Sequence, residues 1–207
     1  MAITEPLDIV NAACALYGDF PLQDLETDTI EGQPASLLYQ SVVEFNLGLY
    51  PFSFGKQMFA LSRDDLETSL VGYSYVYLLP PERLEAPIFI TDDVTSPARR
   101  FSDFLISGRH VHSNAIALAA MCKHRPAPWQ WSATFRHMTV TALAAELALS
   151  RAHDKDLRAR LHRDAYGTPT ENYRGGLMRA AINADSFGNP HRTQDKFNNP
   201  LENARNL

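Results

Sequence analysis

Residues 129–152 read WQWSATFRHMTVTALAAELALSRA and form the part of the sequence with the clearest periodicity. This stretch contains no glycine or proline. Its large apolar side chains recur at steps of three and four residues, as one face of an α-helix requires. Alanines at 142, 144, 145 and 148 keep the helix surface small and allow another helix to approach closely. We therefore predict a long, closely packed helix over about 129–152.

Two further helices are predicted near the start of the chain. The first covers about 5–17, where apolar residues recur at near-helical spacing before Gly18. After an acidic connector, the second covers about 34–50, with Pro34 in its first turn and Pro51 beyond its end. Its predicted core-facing stripe consists of Leu37, Leu38, Val42, Phe45 and Leu49.

The middle of the chain is rich in strand-forming residues. Segments 73–79, 88–91 and 101–106 are short strand candidates, and 109–114 alternates polar and apolar residues. Segment 115–123 fits either a helix or a buried strand. Before this region, an aromatic-rich segment (Phe52, Phe54, Met58, Phe59) is interpreted as core, with a ligand pocket as the alternative. We predict a small β-rich insert over 72–128.

Helical patterning continues after Asp154 and is interrupted at 167–169. Thr168 and Glu171 have the spacing of a capping box, which predicts a last helix over 169–183. Residues 185–207 contain five asparagines and few large apolar groups, so they cannot form a core of their own. The predicted fold is mainly α (α+β), a helical bundle with a β-rich insert. Its parts are N-terminal helices at 1–71, the insert at 72–128, C-terminal helices at 129–184 and an extended tail at 185–207.

Composition excludes several classes of protein. The 207 residues are 45% hydrophobic and 21% charged, which excludes a collagen, a disordered chain and a disulfide scaffold. No apolar stretch reaches the length of a membrane span, and the first residues do not resemble a signal peptide. Cys14 and Cys122 are expected to be reduced core thiols.

The formal net charge of −5 conceals an asymmetry. Residues 1–98 sum to −12, whereas residues 99–207 sum to +7. This division suggests surfaces with different partners, although a solvated acidic face is the alternative. No segment is basic enough to suggest a nucleic-acid clamp.

Motifs for catalysis or cofactor binding are missing from the sequence. It has no phosphate-binding loop, dinucleotide fingerprint, zincin motif or nucleophile elbow. His110 and His112 would lie on one side of a strand, but no third ligand has suitable spacing. The acidic pairs Asp64-Asp65 and Asp92-Asp93 are interpreted as solvated turns rather than acid–base pairs. We therefore expect no enzyme activity, no metal and no cofactor.

The order of features resembles the tail tubular protein A family, the head-to-tail adaptors of short-tailed bacteriophages. The resemblance covers about residues 5–184. Here Phe52 stands where the family has tryptophan, Gly55 where it often has alanine, and Glu82 and Leu84 occupy the acid and leucine positions of a later motif. The segments that carry the resemblance are Leu16-Tyr17-Gly18, Pro51-Phe52-Ser53-Phe54-Gly55, Tyr77-Leu78-Leu79-Pro80, Glu82-Arg83-Leu84, Ser113-Asn114-Ala115-Ile116 and the helix from Ala142 to Leu149.

The resemblance implies a structural role in the virion, at the head–tail junction, after assembly in the host cytoplasm. Family members form a ring of twelve copies between the portal protein and the tail nozzle, and duplex DNA passes through the ring without sequence-specific binding. A C-terminal extension commonly docks on the portal. The residues expected to bind the portal are Phe187, His191, Arg192, Phe197, Asn198 and Leu201.

Two other functions remain open at this point. The chain would be a small cell-wall hydrolase if His110, His112 and Asp92 acted together. It would be a DNA-binding helical regulator if the C-terminal arginines formed a basic surface. These arginines are Arg158, Arg160, Arg163, Arg174 and Arg179.

Overall fold

The computed structural model describes residues 5–25, 32–93 and 100–188. In these residues, 47% helix combines with two antiparallel sheets of seven strands, which make up 17%. The chain therefore has a mixed α+β fold, and the predicted helical bundle with a small insert is wrong. The reason is that the strands form two paired sheets with a hydrophobic cluster of their own.

The described residues contain five helices, which flank the strand region along the sequence. Helices α1 and α2 precede the strands, and α3, α4 and α5 follow them. Short 3₁₀ segments at Ser53–Gly55, Pro128–Gln130 and Pro169–Glu171 join these elements. The bounds of the helices are α1 Pro6–Tyr17, α2 Gly32–Leu49, α3 Ala133–Ser150, α4 Lys155–Tyr166 and α5 Gly176–Gly188.

The seven strands form a three-stranded sheet, in the order β1-β7-β4, and a four-stranded sheet, in the order β2-β3-β6-β5. Every pairing between strands is antiparallel. Gly108 (φ +60°) forms the tight turn between β5 and β6. The strand bounds are β1 Lys56–Ala60, β2 Ser62–Arg63, β3 Tyr75–Leu78, β4 Phe89–Thr91, β5 Phe104–Ser107, β6 His110–Ser113 and β7 Ala119–Lys123.

Helix α3 is the centre of the helical part, because it contacts all four other helices. Ser132 caps its first turn, where the hydroxyl accepts the Phe135 backbone N–H at 3.2 Å. Small residues on most sides of α3 are buried, so neighbouring helices pack closely from several directions. The predicted long helix is confirmed, with bounds a few residues inside those expected.

The aromatic segment after α2 is core, as interpreted. The Phe52 ring is buried and lies 4.7 Å from the Phe135 ring, and Phe54 stacks on Phe52 at 5.3 Å. Met58 and Phe59, however, belong to strand β1 rather than to a loop. The strands therefore begin at Lys56, ahead of the predicted insert, and the ambiguous 115–123 segment contains strand β7.

The predicted core-facing stripe of α2 is partly wrong. Leu37 is 69% exposed and Phe45 is 44% exposed, whereas Val42 is buried. The face of α2 that is buried carries Tyr39, Val43, Asn46 and Leu47 instead. The predicted stripe thus straddles the boundary between the buried face and an outer apolar face.

The last helix also differs from its prediction. The Thr168–Glu171 capping box exists, but it closes the 3₁₀ turn Pro169–Glu171, and α5 begins only at Gly176. Asn172 and Tyr173 have left-handed backbone conformations (φ +50° and +60°), which end the helical path between these elements. At its other end α5 extends to Gly188, four residues into the predicted tail. Among the described helices, none is long and apolar enough to cross a membrane.

Candidate interaction surfaces

Of the tail residues expected to bind the portal, one lies among the described residues and five lie outside them. Phe187 lies in the last turn of α5, where its side chain is 89% exposed. His191, Arg192, Phe197, Asn198 and Leu201 lie outside the described residues. The exposed Phe187 ring is therefore the one predicted portal contact that the structure places on the surface.

The end of α5 is fixed to the segment that follows α2. The buried carboxylate of Asp185 accepts the Ser53 backbone N–H at 2.9 Å and the Ser53 hydroxyl at 2.5 Å. The Tyr50 and Ser186 hydroxyls are 3.1 Å apart and share a hydrogen bond. Asp185 is thus part of the folded chain, and α5 holds the start of the tail at a defined place.

An aromatic cleft is the most distinctive surface of the helical part. Three rings contact each other edge to face: Phe45–Tyr173 at 5.4 Å, Tyr166–Tyr173 at 5.7 Å and Phe45–Tyr166 at 5.8 Å. The cleft has a volume of about 270 Å³, just below the range of roughly 300–1,000 Å³ typical of small-molecule sites. It is lined by Leu38, Ser41, Val42, Phe45, Glu146, His162, Tyr166 and Tyr173, and we call this set the aromatic cleft.

The turn between α4 and α5 places Tyr173 on this cleft. The Gly175 N–H donates to the Tyr166 carbonyl at 2.9 Å, and Arg174 donates to the Leu49 carbonyl at 2.7 Å. These bonds hold Tyr173 in its left-handed conformation, although a bulky residue avoids that region elsewhere. Its ring remains 48% exposed and forms one wall of the aromatic cleft.

A buried polar chain supports the floor of the cleft. The Tyr166 hydroxyl donates to Asn46 Oδ1 at 2.6 Å, and the Asn46 amide nitrogen donates to Thr139 Oγ1 at 3.4 Å. Burial raises the pKa of Tyr166, so its hydroxyl stays protonated and remains a donor. At the edge of the cleft, burial and the nearby Arg158 guanidinium lower the pKa of His162.

The sequence patterns do not predict this cleft, because Phe45 has the spacing of a core residue and Tyr173 lies within the predicted helix over 169–183. The signal that was available is the pair of glycines at 175 and 176. Gly176 has φ +49°, and a Cβ on Gly175 would meet the Glu171 carboxylate at 2.5 Å. The predicted continuous helix over 169–183 is therefore wrong between Asn172 and Gly175, and Gly176 is the first residue of α5.

A second, more polar groove lies where the helices meet the three-stranded sheet. It has a volume of about 660 Å³ and carries both signs of charge. Across it, Arg125 reaches Glu44 at 3.4 Å. The residues lining it are Glu44, Gln57, Phe59, Pro81, Glu82, Arg83, Leu84, His124 and Arg125.

The two histidines considered for metal binding have other partners. His110 Nε2 lies 3.5 Å from Asp64, and His112 Nδ1 accepts the Leu70 backbone N–H at 3.3 Å. The His112 bond links the loop between β2 and β3 to strand β6, whereas His110 Nε2 is buried without a hydrogen-bond partner. Asp92 follows strand β4 of the three-stranded sheet, whereas strand β6 of the four-stranded sheet carries both histidines. Within the described ranges, no group of three or more residues is arranged to hold a metal ion.

Several arginines considered for DNA binding form contacts within the chain. Arg158 pairs with Glu146 at 3.2 Å, and Arg179 pairs with Glu171 at 2.9 Å. Arg174 donates to a backbone carbonyl, as described above. These contacts reduce the positive charge that the C-terminal helices can offer to a phosphate backbone.

The two cysteines are buried free thiols, one in each hydrophobic cluster. Burial raises the pKa of both thiols, which makes them poor nucleophiles. They have the core positions that the sequence predicted.

Comparison with known proteins gives no family assignment. No protein-family model matches the chain, and no curated protein is significantly similar to it. The function is therefore argued from the sequence pattern and from the surfaces described above.

Proposed function

We propose that this protein is a structural head-to-tail adaptor of a short-tailed bacteriophage, similar to tail tubular protein A. In this proposal, twelve copies form a ring between the portal protein and the tail nozzle and extend the DNA channel for genome retention and ejection. The observation that carries the proposal is the order of elements. Two helices, a β-rich middle and three helices precede a polar C-terminal segment, and this order accompanies the motifs of the resemblance.

The surfaces of the chain support an assembly role. A ring built by rotation needs two different surfaces on each copy that fit each other. Exposed apolar side chains occur in both parts of the molecule, including Leu37, Phe45 and Tyr173 beside α2 and Leu105 and Ile106 on edge strand β5. Packing these side chains against a neighbouring copy would remove apolar surface from water and stabilise the ring.

The position of α5 supports docking by the C-terminal segment. Because Asp185 and Ser186 hold the last turns of α5 against Ser53 and Tyr50, residues 189–207 start from a fixed point. Twelve such segments on one ring would bind the portal together, and this multivalency compensates for weak individual contacts.

The charge supports passage of DNA rather than binding. Twelve copies with a formal charge of −5 each give a ring of −60. A channel that lets a duplex slide should make few phosphate contacts, because each contact adds affinity. The arginine pairs with Glu146 and Glu171 within the chain agree with this requirement.

Electron microscopy of the purified protein, with and without the portal protein of the same phage, tests the proposal. We expect rings of twelve copies on the portal. Replacing Phe197 or Leu201 by serine should weaken portal binding at least about tenfold, since each change removes a buried apolar anchor. Thr193→Ala in the same segment is the matched control and should bind normally. Absence of a ring, or full affinity in both serine variants, would contradict the proposal.

A further inference from the structure

Strand β5 is an outer strand of the four-stranded sheet, and both of its faces are partly open. Successive side chains of a strand point to opposite faces, and the neighbours Leu105 and Ile106 are 46% and 38% exposed. Among the described residues, only strand β6 pairs with β5. The outer edge of β5 therefore offers free backbone groups to any other strand that approaches it.

The hydrogen-bond pattern of the sheet shows which residues of β5 face this edge. The Leu79 N–H donates to the carbonyl of Arg109, directly before β6, at 2.9 Å. Bonding directions alternate along an antiparallel strand, so the odd-numbered residues of β6 bond to β3 and the even-numbered ones bond to β5. The even-numbered residues of β6 oppose the odd-numbered residues of β5. The N–H and C=O groups of Phe104 and Ile106 therefore point outward, away from the sheet.

The other outer strands of the two sheets are short, charged or covered. Strand β2 has two residues, β1 begins with Lys56, and Ile90 of β4 is bridged by Phe101. Proteins commonly use short strands, lysines and covering segments to prevent pairing between sheet edges. Strand β5 has four residues in regular register with β6 and contains neither lysine nor proline. Its edge is the one best suited to pairing among the described strands.

We propose that two copies of the free protein pair through their β5 edges, antiparallel about a two-fold axis at Leu105. This register places the outward-facing groups of Phe104 in each copy opposite those of Ile106 in the other. Both pairs can then exchange N–H···O=C bonds, and the two four-stranded sheets become continuous. Leu105 lies opposite Leu105 of the second copy in a non-hydrogen-bonded pair, where side chains approach most closely.

The side chains of β5 fit a second copy of the same strand. Aromatic and β-branched residues, as in the pairs of Phe104 with Ile106, are favourable cross-strand partners. Exposed residues of opposite charge, Asp103 and Arg109, flank the strand at its two ends. An antiparallel copy brings Asp103 opposite Ser107, next to the turn that carries Arg109, and the two-fold axis repeats this pairing of charges. The edge is thus complementary to itself.

This contact goes beyond the proposed adaptor role and does not rest on it. A two-fold contact is closed, so it cannot continue into a ring. Since the proposed ring would also use Leu105 and Ile106, the dimer and the ring exclude each other. The contact is small, so we expect dimers at about 100 µM and monomers at about 1 µM.

Cysteine cross-linking in the full-length chain tests the proposal. Leu105→Cys places two thiols across the two-fold axis, at a Cα separation of about 4.5 Å that a disulfide accepts. Ser107→Cys is the matched control, because this exposed residue lies on the same face of β5 but its two copies would be about 14 Å apart. The native Cys14 and Cys122 are buried and do not react under mild oxidation. We expect Leu105→Cys to form disulfide-linked dimers at least about tenfold faster than Ser107→Cys.

Two lysine substitutions test the register without a covalent bond. Leu105→Lys places two ammonium groups opposite each other and should weaken dimerisation at least about tenfold. Ser107→Lys adds the same charge opposite Asp103 of the second copy and should strengthen dimerisation at least about twofold. Sedimentation equilibrium between about 1 and 500 µM measures both effects against the wild type.

Three outcomes would overturn the proposal. The first is a wild type that stays monomeric at about 500 µM, as it would if another segment of the chain or another protein covered the β5 edge. The second is cross-linking of Leu105→Cys that is no faster than that of Ser107→Cys. The third is equal weakening of dimerisation by the two lysine substitutions, because the register requires effects of opposite sign.

Discussion

The helical part and the sheet part of this chain are stabilised by cores of very different size. Among the described residues, 24 buried hydrophobic residues form the helical cluster and 8 form the sheet cluster. Helix α3 supplies much of the larger cluster, whereas the strands in the described part of the chain have at most five residues. We infer that the helical part sets the stability of the chain, and that the sheet part depends on the contacts that join it to the helices.

A leucine-to-alanine substitution in each core gives the largest expected loss of unfolding free energy. Leu143 is fully buried in α3, and Leu79 is buried in the sheet cluster. Leu143→Ala should cost about 4 kcal/mol of unfolding free energy, because the packed helices cannot close the cavity. Leu79→Ala should cost about 2 kcal/mol, because the smaller cluster can collapse more easily. Urea unfolding followed by circular dichroism measures both.

Equal losses in the two variants would show that the two cores are equally well packed. That result would contradict the inference that the helical part sets the stability of the chain. A larger loss of stability for Leu79→Ala would show that the sheet cluster is the better packed of the two cores. Leu105→Ala, at an exposed position on edge strand β5, serves as the control and should change stability by less than about 0.5 kcal/mol.

The second largest expected loss of stability comes from the contact that joins the sheet part to the helical part. The Lys123 ammonium, at the end of strand β7, donates to the Gly48 carbonyl at 2.5 Å and pairs with Glu85 at 2.8 Å. Lys123→Met removes both bonds and leaves the carbonyl without this donor, so we expect a loss of about 2 kcal/mol. Glu85→Gln removes only the half-exposed partner of the ion pair and should cost below about 1 kcal/mol. If the two variants lose equal stability in urea titrations, the bond to Gly48 does not join the two parts.

Removing one hydroxyl in each part gives a smaller, matched comparison. The Tyr166 hydroxyl donates to Asn46 inside the helical core at 2.6 Å, and the Tyr77 hydroxyl donates to the Ala115 carbonyl at 2.6 Å. Tyr166→Phe leaves a fully buried amide oxygen without its donor, so we expect a loss of about 1.5 kcal/mol. Tyr77→Phe should cost about 1 kcal/mol, because that bond is only partly buried. Thermal unfolding of both variants ranks them, and a larger loss for Tyr77→Phe would contradict the ranking.

The sequence predicted the helical part better than the sheet part, for physical reasons. Helix α3 carries its periodicity over 18 residues, and α1 ends at Gly18 with φ +86°, so local patterns were sufficient there. Strands β1 and β2 escaped prediction because Lys56–Ala60 is short, has no clean alternation and gains its structure from pairing with distant β7. Such pairing is a long-range property that no local pattern contains.

The aromatic cleft escaped prediction for a related reason. Phe45 has helical spacing from Val42 and Leu49, so periodicity alone assigned it to the core. Its exposure depends on where α3, α4 and the Tyr173 turn approach α2. The Thr168–Glu171 capping box was recognised correctly, but a cap does not determine whether the turn it begins continues as an α-helix.

The smallest expected effect concerns the pH dependence of stability and lies within the helical part. Burial and Arg158 lower the pKa of His162, while Glu146 acts in the opposite direction. A histidine with a lowered pKa favours the neutral form in the folded state, so its contribution is complete above its ordinary pKa of 6.5 and is lost as the pH falls below that value. Between pH 7 and pH 5, the wild type should therefore lose stability relative to His162→Gln, by less than about 1 kcal/mol. His137→Gln, an exposed position on α3, controls for the loss of a histidine as such. If wild type and His162→Gln have parallel stability–pH curves, the environment of the aromatic cleft does not favour a neutral His162.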